Sequence, residues 1–396
     1  MSDSHLMNLE TYYRDHFPHK LLFDWLNYKD GNHRELVNRE FSFTLSGDIY
    51  IRFLSFRAAE EFKRELIRKI PLKIDIGAVY NMPPNEVKKF GSLAPNFKPR
   101  EHELVFDIDI SDYDDVRNCC TGSDICKKCW PFMKVGARIL HKILTEEFGF
   151  QHLLFVFSGR RGFHCWVCDK RARVLSSRAR SAIASYLSII DGGQAMVKRV
   201  NLNPRDRTLH PMLRKALEII DSEFEDLMIE KQDFLGSPNL LQNVIDLCPE
   251  KYTRDEMIKY LKPIRAPSQK MWQDIIKTVN KMKSKRQNFS QIEYYIEEVK
   301  LQHCYPRLDV NVTKGLNHLL KIPFCIHPKT GKVCVPFDIE QIDEFDPFEV
   351  PTLPELASVS NEAACKKLDQ SFQVMRRFVN KLSKAQPLHS KVNLDF

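Results

Sequence analysis

Two acidic residues alternate with large apolar residues in the segment from position 105 to 110. Successive side chains of a β-strand point to opposite faces, so Asp107 and Asp109 would share one face while their apolar neighbours cover the other. Two adjacent carboxylates repel each other unless a cation binds them, and Mg²⁺ and Mn²⁺ prefer oxygen ligands. The segment therefore indicates a divalent-cation site on a strand, although the same spacing also occurs in solvated turns.

A basic turn follows a second apolar segment, at 153–157, which has the composition of a buried strand. Ser158, Arg160, Arg161 and His164 come next and are interleaved with two glycines. Guanidinium and imidazole groups donate hydrogen bonds to phosphate oxygens, and glycine lets a ligand approach the backbone closely. The segment indicates a triphosphate-binding turn that lacks the Lys-Ser/Thr pair of a P-loop. A surface turn with solvated arginines is the alternative.

A third carboxylate lies far downstream of these two segments. Asp309 stands among alternating apolar residues, which predicts another strand, and Lys321 and His327 follow it. Three strand-borne carboxylates could hold two cations about 3.5 to 4 Å apart, which together activate an attacking oxygen and stabilise a leaving one. Taken alone, Asp309 fits an ordinary strand end and Lys321 a solvated lysine equally well.

Four of the eleven cysteines cluster within a single short segment, at positions Cys119, Cys120, Cys126 and Cys129. The last two have the spacing of a zinc knuckle, and four thiolates match a closed tetrahedral site. Adjacent cysteines are less usual ligands than a second Cys-x-x-Cys pair, so unmetallated thiols are the alternative. Four protein ligands would leave no coordination position for a substrate, which predicts a structural role.

Three motifs, in this order and spacing, resemble those of the small catalytic subunits of eukaryotic DNA primases. They are Phe-Asp-Ile-Asp at 106–109, Ser-Gly-Arg-Arg-Gly-Phe-His at 158–164 and Tyr-Pro-Arg-Leu-Asp at 305–309. The resemblance covers most of the chain, with further matching segments at 39–43, 74–80 and 112–117. Between 192 and 291 the resemblance is one of position and helical character only.

The resemblance implies a DNA-templated RNA polymerase that starts RNA chains on single-stranded DNA from ribonucleoside triphosphates. It implies that Asp107, Asp109 and Asp309 bind two catalytic Mg²⁺ or Mn²⁺ ions. It also implies that the four clustered cysteines bind Zn²⁺. The residues that it implies contact the incoming nucleotide are Ser158, Arg160, Arg161, His164, Lys321, His327, Arg52 and Asp75.

The resemblance further implies a large primase subunit as heterodimer partner, the catalytic and accessory subunits of DNA polymerase alpha as further partners, and a nuclear location. Two other functions stay open. A two-metal nuclease or phosphoesterase would use the same aspartates but does not require so many triphosphate-binding cations. A non-catalytic replication scaffold has no need of three acidic residues in this arrangement.

Composition is that of a globular protein, with 43% hydrophobic and 28% charged residues. A net charge of +8 permits nucleic-acid binding without demonstrating it. The lysine-rich segment 281–286 would suit backbone contact or nuclear import, although a solvated helix end is the interpretation that we favour. No apolar stretch reaches transmembrane length and the N-terminal residues lack the apolar core of a signal peptide, so we expect neither membrane insertion nor secretion.

We predict an α+β fold in which a mixed β-sheet carries the acidic triad, with a structural zinc element and an inserted helical subdomain. The predicted parts are a first part of the catalytic core at 1–191, including the zinc element at 119–129, a helical insertion at 192–291, and a second part of the core with a C-terminal helical segment at 292–396. Hydrophobic periodicity predicts strands at 41–45, 49–55 and 73–79 and helices at 10–28, 58–70, 131–148 and 176–190.

Overall fold

The computed structural model describes most of the chain, and its residues form two compact units. The described residues are 3–28, 34–87, 96–190, 196–203, 206, 208–261, 266–285, 290–358 and 361–385. The first unit consists of Met1–Asp107, Phe150–Ala182 and Val310–Phe396, and the second of Ile108–Gly149 and Ile183–Asp309. Each unit is described by itself below.

Nine strands form two sheets in the described part of the chain. In chain order they are β1 (Arg39–Thr44), β2 (Tyr50–Leu54), β3 (Lys73–Tyr80), β4 (Pro99–Glu101), β5 (Leu104–Asp109), β6 (Leu153–Phe157), β7 (Gly162–Val167), β8 (Leu320–Lys321) and β9 (Pro336–Phe337). The first sheet has the order β2-β1-β3-β4, with β8 also paired to β3, and the second has the order β5-β7-β6-β9. The pairings of β1 with β2 and β3, of β3 with β4 and β8, and of β6 with β7 and β9 are antiparallel.

Fifteen α-helices are described. In chain order they are α1 (Asp3–Thr11), α2 (His19–Leu26), α3 (Arg34–Val37), α4 (Ala59–Lys69), α5 (Trp130–Glu146), α6 (Lys170–Arg173), α7 (Ser177–Leu187), α8 (Pro211–Phe224), α9 (Pro238–Asp246), α10 (Lys251–Leu261), α11 (Ser268–Lys285), α12 (Tyr295–Cys304), α13 (Val310–Lys314), α14 (Leu353–Ala357) and α15 (Glu362–Ala385). None of them has the length and hydropathy needed to cross a bilayer, among the residues that the structure describes.

An aromatic cluster covers one face of the first sheet. Phe41 and Phe43 of β1 lie against Phe62 of α4, with ring centroids 5.2 and 6.2 Å from that of Phe62. The helix itself is stabilised by acidic residues in its first turn and basic residues in its last, as the helix dipole favours. With its apolar residues on this face, the sheet presents polar residues on the other, including Asp75 of β3.

A single helix supports two of the predicted acidic segments within the second unit. A Cβ placed on Gly136 of α5 would lie 3.5 Å from Ile108, 3.6 Å from Pro306 and 3.7 Å from the hydroxyl of Tyr113. These are ordinary van der Waals distances, so the end of β5 and the segment before Asp309 both pack closely on α5. The second unit also contains the helices α8 to α12.

The predicted α+β class is confirmed, with one correction: the strands form two sheets rather than a single mixed sheet. The strands predicted at 41–45, 49–55 and 73–79, and the helices predicted at 58–70, 131–148 and 176–190, are confirmed to within three residues at each end. The predicted helix at 10–28 instead consists of α1, a π-helical turn at Tyr12–His16, and α2. Pro18, just before α2, explains the last break, since it cannot donate a backbone hydrogen bond.

The predicted domain boundaries stay predictions. The boundary at 191/192 falls on residues outside the described part of the chain. Helices α8 to α11 lie within 192–291, which agrees with the mainly helical character predicted for that segment.

Candidate active site

The two carboxylates of β5 are partly exposed, while the apolar residues between and before them are buried. One oxygen of Asp107 lies 3.8 Å from Nε2 of His164 on the neighbouring strand β7. Asp109 accepts hydrogen bonds on Oδ1 from the backbone N–H and the hydroxyl of Ser111, at 2.9 and 2.8 Å. Both side chains therefore have defined surroundings, and the predicted alternation along β5 is confirmed.

Asp309 does not lie on a strand, and that prediction is wrong. It is exposed and precedes the short helix α13 directly. Only Val312 and Thr313 of this helix are buried, as adjacent residues on one side of a helical turn. The hydroxyl of Thr313 donates to the carbonyl of Val105 on β5, at 2.8 Å. The alternating apolar residues thus reflect a helical turn held by tertiary contacts rather than a strand.

Arg307 anchors the segment that leads to Asp309. Its guanidinium donates to the carbonyls of Asp112 and Gln302, at 2.5 and 3.0 Å, and pairs with the carboxylate of Asp115. It also lies 5.0 Å from the ring centre of Tyr113, whose hydroxyl accepts from the backbone N–H of Arg307. The partners Asp112, Tyr113 and Asp115 follow Asp109 closely in the chain. These contacts therefore bring the segments that bear Asp109 and Asp309 together within the second unit.

The basic turn between β6 and β7 is closed by its own backbone and side-chain groups. The N–H of Ser158 donates to the carbonyl of Gly162 at 2.9 Å, and the N–H of Gly162 donates to the hydroxyl of Ser158 at 3.2 Å. Arg160 and Arg161 lie between these two residues and are partly exposed. The structure therefore places both arginines on a short turn of fixed shape.

A second segment of the first unit packs against this turn. The ammonium of Lys321 donates to the carbonyl of Ser158 at 3.1 Å, and the hydroxyl of Thr330 donates to the carbonyl of Gly159 at 2.7 Å. Gly159 has φ of +82°, and a Cβ there would lie 2.8 Å from Cβ of His327. The structure therefore brings Lys321 and His327, both predicted from sequence, against the basic turn.

Asp75 joins the same cluster through strand pairing. It lies directly opposite Lys321 where β3 pairs with β8, and one of its oxygens is 3.0 Å from the ammonium of Lys73. Asp75 is only 1% exposed, and the ammonium of Lys73 compensates its buried charge. Lys73 was missed by the sequence reasoning. Its alternation with Asp75 along β3 was the available signal.

Arg52 lies on the same sheet but further from this cluster. It is on β2, two strands away from β3, and its guanidinium donates to both oxygens of Glu40, at 3.0 and 3.2 Å. Its side chain is 36% exposed. The structure thus gives Arg52 an acidic partner on β1, separate from the contacts that unite Asp75, Lys321 and Ser158.

Positive charge dominates the electrostatics of the cluster. Burial lowers the pKa of His164 to about 3, and the charges of Lys321 and Lys73 act in the same direction. Burial also lowers the pKa of His327 to about 3, with contributions from Lys321 and Arg160. Both imidazoles are therefore neutral at physiological pH, and the surrounding cations would favour a highly charged anion such as a triphosphate.

The clustered cysteines could bind a metal ion. The sulfur atoms of Cys119, Cys120, Cys126 and Cys129 all lie within 4.8 Å of one another, and those of the last two are 3.9 Å apart. Tetrahedral zinc with Zn–S distances of about 2.3 Å requires sulfur atoms roughly 3.8 Å apart. The donor set therefore has the chemistry and spacing of a four-thiolate metal site.

Residues around the cysteine cluster hold its shape. Gln232, which is 2% exposed, donates to the sulfur of Cys119 at 3.5 Å and to the carbonyl of Lys128 at 2.7 Å. Burial opposes ionisation of Cys126, but hydrogen bonds from the backbone of Lys128 and from Cys120 outweigh it and lower its pKa to about 7. A lowered pKa favours the thiolate, which is the metal-binding form.

Comparison with known proteins identifies the family. Residues 106–339 match the family described as DNA primase small subunit. The DNA primase small subunit of Drosophila melanogaster is 42% identical over 358 residues, which cover 88% of this chain and 80% of the fly protein. The chain belongs to the DNA primase small subunit family.

Further members of the primase small subunit family are also similar to this chain. The DNA primase small subunit of Schizosaccharomyces pombe is 42% identical over 347 residues, covering 87% of this chain and 76% of the yeast protein. That of Saccharomyces cerevisiae is 37% identical over 378 residues, covering 94% of this chain and 89% of its relative. Primase small subunits are the catalytic subunits of DNA primases, so the chain is an RNA-polymerising nucleotidyltransferase.

Proposed function

We propose that the described site synthesises short RNA primers on single-stranded DNA for DNA replication, by two-metal nucleotidyl transfer. The observation that carries this proposal is the basic cluster of the first unit. Ser158, Lys321 and His327 lie together beside His164, whose imidazole faces Asp107. A carboxylate next to an anion-binding cluster suits a reaction between a triphosphate and divalent cations.

Asp107, Asp109 and Asp309 are proposed to hold two Mg²⁺ or Mn²⁺ ions. All three offer only carboxylate oxygens, which are the ligands that these hard cations prefer. When bound, such ions supply activation of a ribose 3′-hydroxyl and neutralisation of charge on the leaving pyrophosphate. The protein contributes by orienting these carboxylates, as Ser111 does for Asp109.

The basic cluster is proposed to bind the triphosphate of the incoming ribonucleotide. The arginines would neutralise charge on the phosphates, and Lys321 would do so from the opposite side of the turn. Neutral imidazoles at His164 and His327 can each donate one hydrogen bond to a phosphate oxygen. Ser158 would complete this set, while Arg52 and Asp75 are proposed as further nucleotide contacts. Asp75 is a hydrogen-bond acceptor and therefore suits a hydroxyl of the sugar better than a phosphate.

The cysteine cluster is proposed to bind one structural Zn²⁺ within the first part of the catalytic core, 1–191. The helical segment 192–291 is proposed to be an insertion before the second part of the core at 292–396. Metal analysis of the purified chain tests the zinc assignment. We expect one zinc per chain in the wild type and in Cys365→Ser, and none in Cys126→Ser.

The name of the family implies a larger partner subunit, as in a primase heterodimer. We propose, beyond this, that the chain works in the nucleus with the catalytic and accessory subunits of DNA polymerase alpha. Affinity purification from nuclear extracts tests this proposal. Recovery of the large subunit without any polymerase subunit would contradict the polymerase assignment.

Separate measurements of nucleotide binding and RNA synthesis test the proposed function. Arg161→Ala should weaken binding of ribonucleoside triphosphates and raise their KM. Asp109→Asn keeps the size and hydrogen-bond acceptor of the side chain but removes its charge, so it should lower kcat about a hundredfold or more. Asp369→Asn, an exposed change on α15, is the matched control. Degradation of the DNA without any RNA product would favour a nuclease instead.

A further inference from the structure

An exposed aromatic residue on the second unit has no role in the core or in the candidate active site. Tyr260, near the end of α10, is 45% exposed, whereas its helix neighbours Met257 and Leu261 are buried. Its ring borders a surface cavity of about 280 Å³ between α10 and α11. The other residues that line this cavity are Leu261, Asp274, Lys277, Thr278, Lys281 and Met282.

Cations surround this ring. The ammonium groups of Lys259 and Lys281 lie 5.6 and 5.5 Å from the ring centre of Tyr260. Among the described residues that line the cavity, Asp274 carries the one carboxylate, which lies 2.9 Å from the ammonium of Lys270 and 3.8 Å from that of Lys277. Together, α10 and α11 carry eight lysine or arginine residues against three acidic ones. Lysine and arginine residues therefore outnumber acidic residues on the two helices that border the cavity.

This combination suits a ligand with flat apolar faces joined by negative charges. A base of single-stranded nucleic acid can stack on an aromatic ring, while lysines beside the ring contact the phosphates on either side. In a duplex, stacking with neighbouring base pairs makes the base faces inaccessible. An acidic peptide would satisfy the lysines but would leave the exposed ring of Tyr260 without a matching partner.

We propose that this surface, defined by Tyr260, Lys259, Lys277 and Lys281, binds single-stranded DNA, with Tyr260 as a stacking platform for one base. The choice of DNA as the ligand rests on the proposed function. The lysine-rich end of α11 thereby has a nucleic-acid contact as its role, rather than solvation alone. The helical region 192–291 would then bind the template strand.

Binding of the full chain to a short labelled oligodeoxynucleotide, followed by fluorescence anisotropy, tests the proposal. Tyr260→Ala should weaken binding roughly fivefold or more, because it removes a stacked base. Tyr260→Phe keeps the ring and should bind like the wild type. Tyr252→Ala is the matched control, since Tyr252 lies on the same helix and is also 45% exposed.

The salt dependence of binding tests the lysines. Replacing both Lys277 and Lys281 by Gln should reduce the slope of log affinity against log salt concentration by about 1.4, at about 0.7 for each phosphate contact on a single strand. The double change Lys366→Gln and Lys384→Gln on α15 removes the same net charge elsewhere and should leave the slope unchanged.

Three results would overturn the proposal: affinity of Tyr260→Ala equal to that of the wild type, equal losses in Tyr260→Ala and Tyr252→Ala, or competition by poly-glutamate as effective as that by unlabelled DNA. RNA synthesis is assayed in parallel with the same preparations. If RNA is produced but DNA binding does not depend on Tyr260, only the proposal of this DNA-binding surface is contradicted. If DNA binding depends on Tyr260 but no RNA is produced, the proposed function is contradicted and the DNA-binding surface is supported.

Discussion

Different side chains lie beside the two carboxylates of β5. Asp107 faces the imidazole of His164 at 3.8 Å, whereas Asp109 accepts two hydrogen bonds from Ser111. A neutral imidazole does not compete with a metal ion for Asp107, because it carries no positive charge. The low pKa of His164 therefore keeps this carboxylate suited to cation binding at physiological pH.

The low pKa of His164 predicts how the free energy of unfolding depends on pH. An unfolded histidine binds a proton below about pH 6.5, but folded His164 does so only near pH 3. The unfolded state therefore binds more protons between these values, and the free energy of unfolding should fall as the pH is lowered from 6.5 towards 3. In His164→Gln this contribution disappears, so the fall over the same range should be smaller. Urea unfolding at a series of pH values measures it, and identical pH dependences would refute the prediction.

At the scale of elements, the turn between β6 and β7 and the segment from β8 to β9 form one assembly. Gly159 makes this possible through both its positive φ and the closeness of His327 and Cys334, which would lie 2.8 and 3.0 Å from a Cβ at that position. The residues proposed to bind the triphosphate, on both segments, thus depend on a position where only hydrogen fits.

Alanine substitutions at Gly159 and Gly47 separate the cost of a positive φ from the cost of overlap with neighbouring atoms. Gly159→Ala should destabilise the protein through backbone strain and overlap with His327, by about 2–4 kcal/mol in total. Gly47→Ala is the matched control, because Gly47 has φ of +76° but nothing within 4 Å of a Cβ, so it should cost only about 1–2 kcal/mol. Gly159→Ala should also raise the KM for ribonucleotides, and Gly47→Ala should not. Chemical unfolding and steady-state kinetics measure both, and equal behaviour of the two variants would rule out the packing argument.

At the scale of the whole molecule, local patterns gave much of the fold. The alternation around Asp107 is a property of a single strand, and the apolar stripe of α5 is a property of a single helix, so both could be predicted from neighbouring residues alone. Asp309 could not, because its alternating neighbours form a helical turn that Thr313 ties to β5. The alternation of residues around Asp309 is the same as that of a strand. The contact of Thr313 with the distant residue Val105 holds the segment as a helical turn instead.

Contacts between distant segments account for the other differences. Lys73 acquires its place through Asp75, which pairs with Lys321 far along the chain. The resemblance implied that Arg52 contacts the nucleotide. Its ion pair with Glu40 could not be predicted in the same way, because it depends on the order of the strands in the sheet. The division of the strands into two sheets likewise depends on which strands pair, and hydrophobic periodicity does not contain that information.

The central claim is that the chain copies single-stranded DNA into RNA, and the measurement that tests it most directly is nucleotide incorporation on homopolymer templates. The full chain is incubated with poly(dT) or poly(dA), Mg²⁺ or Mn²⁺, and labelled ATP or UTP, with Asp109→Asn alongside. We predict RNA from ATP on poly(dT) and from UTP on poly(dA), little product from the mismatched combinations, and loss of product in the variant. Incorporation that is independent of the template, or RNA made equally well by Asp109→Asn, would contradict the account.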